Sequence, residues 1–179
     1  MDLNTDFFTL FRLPRSFRSV PLAELDERYR EMQHAVHPDR FAAASEQERR
    51  LSMQWSVRVN EAYQTLKTPL LRAQYLIQLA GHDPGAEAKP VMDTDFLMEQ
   101  MEWREAVMET RMGKDHHELE HLHQRLHHDL AARYETLAAL LDDAQDYPAA
   151  IGAVRQLMFL EKLETEIDDA LAALEDESE

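Results

Sequence analysis

Along most of the chain, apolar residues recur at steps of three and four positions, a spacing that aligns side chains on one face of an α-helix. Proline, glycine and capping residues interrupt this pattern and divide it into seven predicted helices. The first four are predicted to begin at Phe7, Pro21, Ser45 and Thr68. Ser45 and Glu48 match a capping box, and the proline after Thr68 suits the first turn of a helix.

The fourth helix is predicted to end at Gly81, since glycine is common just after the last residue of a helix. Residues 81–92, GHDPGAEAKPVM, contain two Gly and two Pro, which predict a linker. Three longer helices are predicted after it, starting at Asp93 or Thr94, at Asp115 and at Asp146. Because long helices joined by short turns favour antiparallel packing, we expect a three-helix bundle over residues 93–175. The predicted fold is therefore all-α, with a separate four-helix part at residues 1–80.

The composition narrows the classes of function. The chain of 179 residues has a formal net charge of −16, so a polyanion gains little by approaching it and we expect no nucleic-acid partner. It contains no Cys, which removes disulfides, thiol nucleophiles and thiolate metal ligands. No apolar stretch approaches the ~20 residues needed to span a membrane, and residues 1–10 lack the pattern of a signal peptide. We therefore expect a cytoplasmic protein without a cofactor, and we find no residue set that predicts enzymatic activity.

The turn between the second and third predicted helices carries His37-Pro38-Asp39. Pro38 disfavours helical geometry in the residue before it. Taken alone, these three residues therefore fit two interpretations: a simple end of the second helix, or a functional loop. A carboxylate exposed at such a corner can accept two N–H groups of a partner arginine. Pro38 also limits the freedom of the loop and so lowers the entropy lost on docking.

The surrounding residues make this motif specific. Tyr29 precedes His37 in the second helix, and the third helix contains residues 60–66, NEAYQTL. Together these features resemble a J-domain. Similarity to the HscB family, the J-type co-chaperones of bacterial iron–sulfur cluster assembly, extends over nearly the whole chain. It is carried by further segments at residues 6–14, 69–76, 93–100 and 155–163.

The resemblance implies a function for each part of the chain. Residues 1–80 would be a J-domain that docks on HscA, a DnaK-type chaperone, and stimulates its ATPase through His37, Pro38 and Asp39. Residues 93–175 would hold IscU, the iron–sulfur scaffold protein, and present it to the chaperone.

The resemblance also implies a positively charged docking face near the motif. Arg28 and Arg30 on the second helix, with Arg40 beyond it, could supply this face. Arg40 stands where the family pattern, His-Pro-Asp-Lys-Phe, has Lys. Four acidic residues share the second helix with the first two arginines and weaken the expectation.

The fifth predicted helix has more apolar surface than one core face requires. At about 100° per residue, Phe96, Trp103 and Val107 fall on one side, which we expect to pack in the bundle. The other apolar residues fit either a wide core stripe or an exposed, Met-rich recognition surface. The family resemblance places client binding here and favours the second interpretation. The predicted client-binding residues are Leu97, Met98, Met101, Glu102, Arg104, Glu105 and Phe159.

The sixth predicted helix is rich in histidine. His117, His121 and His128 fall opposite its Leu stripe, and the first two have the i,i+4 spacing that metal ligands use. A solvated polar face explains the same pattern without a metal, and we expect no metal site. Two alternatives to a scaffold-delivering co-chaperone remain open: a J-protein for another client, and a His-rich metal-handling helical protein.

Overall fold

The computed structural model describes residues 2–41, 43–85, 94–113 and 115–176, which contain helices and turns but no strand. The chain divides into two compact units, Met1–Ala80 and Gly81–Glu179. The all-α fold predicted from the sequence is therefore confirmed.

The first unit is built from short and long helices in sequence order. They are α1 (Phe7–Leu10), α2 (Leu22–Val36), a 3-10 turn (Pro38–Phe41), α3 (Glu46–Lys67) and α4 (Pro69–Leu79). Ser45 and Glu48 form the predicted capping box at the start of α3. Gly81 follows α4 with a φ of 89°, a left-handed conformation that glycine adopts without strain. The start and stop signals read from the sequence are confirmed at these helix ends.

The core of the first unit lies between α2, α3 and α4. Its least accessible apolar side chains, with no exposed surface, are Leu25, Val59, Ala62, Leu66, Ala73 and Ile77. The short helix α1 packs on this core through Phe7, whose ring stacks on Tyr75 with centroids 4.4 Å apart. The Phe7 backbone N–H also donates to Tyr75 Oη at 3.0 Å, so the N-terminal segment is tied to α4.

Polar and aromatic contacts fix the register of α2 against α3. The rings of Tyr29 and Tyr63 stack with centroids 3.9 Å apart, and Tyr29 Oη donates to Asn60 Oδ1 at 2.9 Å. Tyr63 Oη donates to Asp26 Oδ1 at 2.8 Å, and Lys67 Nζ donates to the same oxygen at 3.4 Å. Earlier residues of α2 therefore meet later residues of α3, and the two helices form an antiparallel hairpin. We call these five residues the hairpin clasp.

The second unit contains three long helices. They are α5 (Thr94–Gly113), α6 (His116–Ala138), which continues into a π-helical turn (Ala139–Ala144), and α7 (Tyr147–Asp176). The predicted cap of α6 is confirmed, because the Asp115 side chain accepts the Glu118 backbone N–H at 3.0 Å. Asp146 caps α7 in the same way by accepting the Ala149 N–H at 3.1 Å.

One arginine joins all three helices of the second unit. Arg133 of α6 forms an ion pair with Glu99 of α5 and donates to Gln156 Oε1 of α7 at 2.7 Å. Its third contact is Asp129 Oδ2, 3.0 Å away on its own helix. Because a guanidinium presents N–H groups in a rigid plane, these contacts orient α5 and α7 together.

Part of the predicted domain organisation falls outside the described residues. Of the linker predicted at residues 81–92, positions 86–92 lie outside them, as does Asp93, the alternative start of α5. The assignment of residues 1–80 and 93–175 to separate functions stays a prediction. Among the described residues, no helix is both long and apolar enough to cross a bilayer.

The hairpin clasp generates a pH-dependent prediction. The hydrogen bond from Tyr63, supported by Lys67, lowers the pKa of the Asp26 carboxyl below its usual range. A carboxyl whose pKa falls on folding stabilises the fold at neutral pH, and this contribution is lost as pH falls through the folded-state pKa. Asp26→Asn should therefore lower the melting temperature at neutral pH and have little effect below that pKa. Circular dichroism melts across this pH range measure the difference.

A matched control lies one residue further along α2. Glu27 is exposed, so Glu27→Gln should leave the melting temperature unchanged at every pH. The role of the clasp is contradicted if both variants melt alike, or if the deficit of Asp26→Asn is the same at acidic and neutral pH.

Candidate functional site

The His-Pro-Asp turn lies at the tip of the α2–α3 hairpin, and its backbone is defined by short-range contacts. His37 has φ −59° and ψ 128°, the extended conformation favoured before proline. Its carbonyl accepts the Arg40 N–H at 3.1 Å, which closes the 3-10 turn. The Asp39 backbone N–H donates to His37 Nδ1 at 3.3 Å, so the imidazole folds over the turn. The turn is therefore a defined structure rather than only the end of α2.

Asp39 is the one acidic residue of the segment 37–41, and its carboxylate is accessible to solvent. Its side chain is 90% exposed, and its Oδ2 lies 3.6 Å from His37 Nδ1. The His37 side chain is 51% exposed. An arginine of a partner can therefore reach both carboxylate oxygens without displacing a core residue.

A buried serine supports the turn from below. Ser52 of α3 is 4% exposed, and its Oγ donates to the Val36 carbonyl at 2.6 Å. Val36 is the last residue of α2, and its carbonyl has no intrahelical partner to accept from. This hydrogen bond anchors the residue immediately before His37 to the neighbouring helix. The role of Ser52 was not predicted from the sequence, because only its position on the buried face of α3 marks it.

The three arginines predicted to form one docking face have different environments. Arg28 donates to the carbonyl oxygens of Phe11 and Arg12 and pairs with Glu24, so it ties the loop after α1 to α2. The three residues that Arg28 contacts all belong to the first unit, and the Arg28 side chain is only 27% exposed. Arg28 therefore has a structural role that was not predicted from the sequence.

The other two arginines are exposed. Arg30 donates through Nε to the Asp26 carbonyl at 3.1 Å, one turn back on α2. Arg40 reaches the His34 carbonyl at 3.3 Å from the 3-10 turn. Since residues two apart on a helix project about 200° from each other, Arg28 and Arg30 leave α2 on nearly opposite sides.

The two predicted faces of α5 are confirmed. Phe96, Trp103 and Val107 are buried, with at most 7% of their surface exposed. Leu97, Met98 and Met101 are 39%, 58% and 72% exposed. The wide-core interpretation of α5 is therefore wrong, and the apolar surplus faces solvent.

Phe159 of α7 joins this surface at its edge. Its ring is half-buried and meets Phe96 edge-on, with centroids 6.0 Å apart. The Arg104 guanidinium lies 5.5 Å from the Phe159 ring centroid, within the range of a cation–π contact. Leu97, Met101 and Arg104 follow one another at i, i+4 and i+7, so Phe159 continues their stripe onto α7.

The polar rim predicted on α5 is also exposed. Glu102, Arg104 and Glu105 all present their side chains to solvent beside the apolar residues. We call the residues Leu97, Met98, Met101, Glu102, Arg104, Glu105 and Phe159 the α5 patch.

Five of the six histidines of α6 fall into two sets. His117, His121 and His128 are exposed, as predicted. His123 and His127 instead face α7, where they lie 3.0 Å from Asp168 Oδ1 and 3.2 Å from Glu164 Oε1. Among the described residues, no group of three or more His, Asp or Glu side chains is arranged to hold a metal. The α6–α7 pairs thus bridge two helices, and nothing in their geometry favours the metal-handling alternative.

Comparison with known proteins agrees with this architecture. A family model described as the HSCB C-terminal oligomerisation domain matches residues 92–168. A co-chaperone protein HscB homolog of Aromatoleum aromaticum is 53% identical over 175 residues, covering 98% of each chain. The structure of chaperone HscB from Vibrio cholerae matches with a TM-score of 0.85 at 33% identity, over 95% of this chain and 99% of its own. Human co-chaperone HscB matches with a TM-score of 0.86 at 29% identity, over 94% of this chain and 83% of its own.

The fold and the turn together define a co-chaperone with an N-terminal J-domain and a C-terminal helical bundle. This chain belongs to the HscB family of co-chaperones. The family resemblance predicted from the sequence is confirmed.

The support of the turn by Ser52 can be tested through stability. Ser52→Ala removes the hydroxyl and leaves the buried Val36 carbonyl without this donor. Loss of one partner of a buried hydrogen bond costs about 1–3 kcal/mol, so the free energy of unfolding should fall by that amount. Urea denaturation of both proteins measures it.

Ser56 provides the control, because it lies one turn further along α3 and is only half-buried. Ser56→Ala should change the free energy of unfolding by less than about 0.5 kcal/mol. Equal effects of the two substitutions would show that the Val36 contact contributes nothing specific.

Proposed function

We propose that this co-chaperone stimulates the ATPase of the DnaK-type chaperone HscA and delivers the iron–sulfur scaffold protein IscU to it in the cytoplasm. The observation that carries the first activity is the nearly complete exposure of the Asp39 carboxylate on a turn whose backbone is hydrogen-bonded. A turn that is ordered before docking loses little entropy when it binds.

In this proposal, His37, Pro38 and Asp39 form the contact with the chaperone. Asp39 accepts an arginine of the ATPase, His37 keeps the turn closed, and Pro38 restricts its backbone. A charge-assisted, bidentate hydrogen bond is strong and forms only in one geometry. It therefore suits an interaction that should stimulate the ATPase only when the two proteins are correctly docked.

Arg30 and Arg40 flank this contact in our proposal. Both are exposed, and Arg40 adjoins the turn itself. We omit Arg28, because its guanidinium already serves two backbone carbonyls and Glu24. Exposed charges of this kind affect mainly the rate and the salt dependence of association.

We further propose that the α5 patch binds IscU. Support comes from Leu97, Met98 and Met101, which expose apolar surface that the packing of the bundle does not require. Unbranched methionine side chains adapt to the shape of a partner. Arg104 and Phe159 bring a cation and an aromatic ring to the edge of this surface, and both residue types are enriched in protein interfaces.

A second copy of the chain is the competing occupant of the α5 patch. The matched family model is described as an oligomerisation domain, so self-association is measured alongside scaffold binding. Sedimentation velocity of the isolated chain and of its mixture with IscU separates the two cases.

The first functional prediction concerns Asp39. Asp39→Asn keeps the size of the side chain but removes its charge, so stimulation of HscA in a single-turnover ATPase assay should be lost. The melting temperature should stay within error of the unmodified chain, because the carboxylate lies in solvent. Undiminished stimulation by the folded variant would exclude Asp39 as the trigger.

The second functional prediction concerns the α5 patch. Leu97→Ala with Met101→Ala removes two exposed side chains, each contributing about 1.5–3 kcal/mol when fully buried by a partner. The affinity for IscU, measured by calorimetry, should fall by at least about tenfold, which needs only ~1.4 kcal/mol. The melting temperature of this double variant should barely change. Phe159→Ala, by contrast, should lower the melting temperature as well as the affinity, because that ring packs on Phe96.

A matched pair in the other unit controls for the loss of exposed apolar surface. Met53 and Val57 of α3 are 60% and 68% exposed. Met53→Ala with Val57→Ala should leave IscU affinity unchanged. If this pair weakens binding as much as the α5 pair, the client does not select the α5 patch.

A further inference from the structure

Four methionines lie on one side of α5. Met98, Met101, Met108 and Met112 are 58%, 72%, 63% and 76% exposed. At about 100° per residue they fall within an arc of about 80°, and they span ~21 Å of helix at 1.5 Å per residue. Met108 and Met112 therefore extend the apolar surface beyond the α5 patch toward the C-terminal end of the helix.

These four side chains are the majority of the six exposed methionines in the described part of the chain. The chain contains no Cys, so methionine supplies all of its sulfur. Trp55 and Trp103 are 6% and 5% exposed, so their indole rings are shielded from reagents in solution. Four of the five exposed methionines described in the second unit lie on α5, so an oxidant that meets this unit finds most of the accessible sulfur on that helix.

We propose that the four α5 methionines are a reversible oxidation site for hydroperoxides, at which sulfoxide formation releases the client. Each thioether sulfur donates an electron pair to one peroxide oxygen, so an S–O bond forms and the O–O bond breaks. The sulfur is oxidised by two electrons, and the peroxide leaves as water or as an alcohol. Methionine sulfoxide reductases reverse the step with a thiol reductant, which becomes a disulfide while the oxygen leaves as water.

The effect on binding follows from the polarity of the product. A sulfoxide is polar and stiffer than a thioether, so docking on an apolar partner would strip water from an S=O group that finds no hydrogen-bond donor. The fold is spared, since the core face of α5 is formed by Phe96, Trp103 and Val107 and contains no methionine. Release of the client rests on the proposed function, whereas the site of oxidation does not.

The site is tested first without any partner. The full-length chain is treated with hydrogen peroxide, and peptides are followed by mass spectrometry over time. Each of the four α5 methionines should gain one oxygen faster than Met32, which is half-buried on α2 and serves as the internal reference. The proposal is overturned if Met32 is oxidised as fast as the α5 methionines, or if circular dichroism shows that oxidation unfolds the chain.

The consequence for binding is tested with IscU. Only the co-chaperone is oxidised, and the peroxide is removed before IscU is added. Affinity should fall by at least about tenfold and return after treatment with the two methionine sulfoxide reductases. A variant with Met98, Met101, Met108 and Met112 all changed to Leu should bind equally well before and after peroxide.

A second variant separates this site from other exposed methionines. Met53 and Met158 are 60% and 50% exposed but lie on α3 and α7. The Met53→Leu, Met158→Leu chain should lose affinity on oxidation as the unmodified chain does. If oxidation leaves the IscU affinity of the unmodified chain unchanged, the inference is overturned and the proposed function remains intact. If the untreated chain does not bind IscU, the proposed function fails, and the oxidation rates alone decide the site.

Discussion

The stacking of Tyr29 on Tyr63 is the contact on which the geometry of the first unit depends. The two rings lie 3.9 Å apart, too close to permit a shift of one helix along the other without losing the overlap. This register brings Tyr63 to Asp26 at one end of the hairpin and Ser52 to Val36 at the other. The residue before His37 is thereby anchored, and the turn can be exposed without being loose. The shape of the turn therefore depends on the packing of the two helices that it connects.

In the second unit, α5 packs on the bundle with one side and exposes apolar side chains on the other. Three large side chains, Phe96, Trp103 and Val107, supply its buried face. Arg133 adds contacts to α5 and α7 at once, and the Arg125 guanidinium lies 4.3 Å from the Trp103 ring centroid. These contacts hold α5 by one narrow stripe, so the rest of its circumference is free to carry exposed methionines.

The parts of the molecule that were predictable from the sequence are those governed by local rules. The capping box at Ser45, the stop at Gly81 and the two faces of α5 follow from residue type and helical spacing. The roles of Ser52, Arg28 and Arg133 could not be predicted in this way, because each depends on a contact with a residue outside its own helix. The family resemblance predicted one docking group of Arg28, Arg30 and Arg40, but it could not show that Arg28 already contacts two backbone carbonyls and Glu24. The π-helical turn after α6 was not predicted either, because the apolar spacing of an α-helix changes little when one turn contains an extra residue.

The two proposed binding surfaces differ in how they would respond to chemical change. At the His-Pro-Asp turn, the proposed interaction depends on one carboxylate, so neutralising Asp39 would remove it. On α5 the binding surface is distributed over several side chains of similar character, so a single substitution leaves most of it in place. A reagent that recognises the shared thioether acts on all of them together. The same distribution that protects α5 against mutation therefore makes it sensitive to oxidation, and the J-domain turn, which contains no sulfur, is not affected by that chemistry.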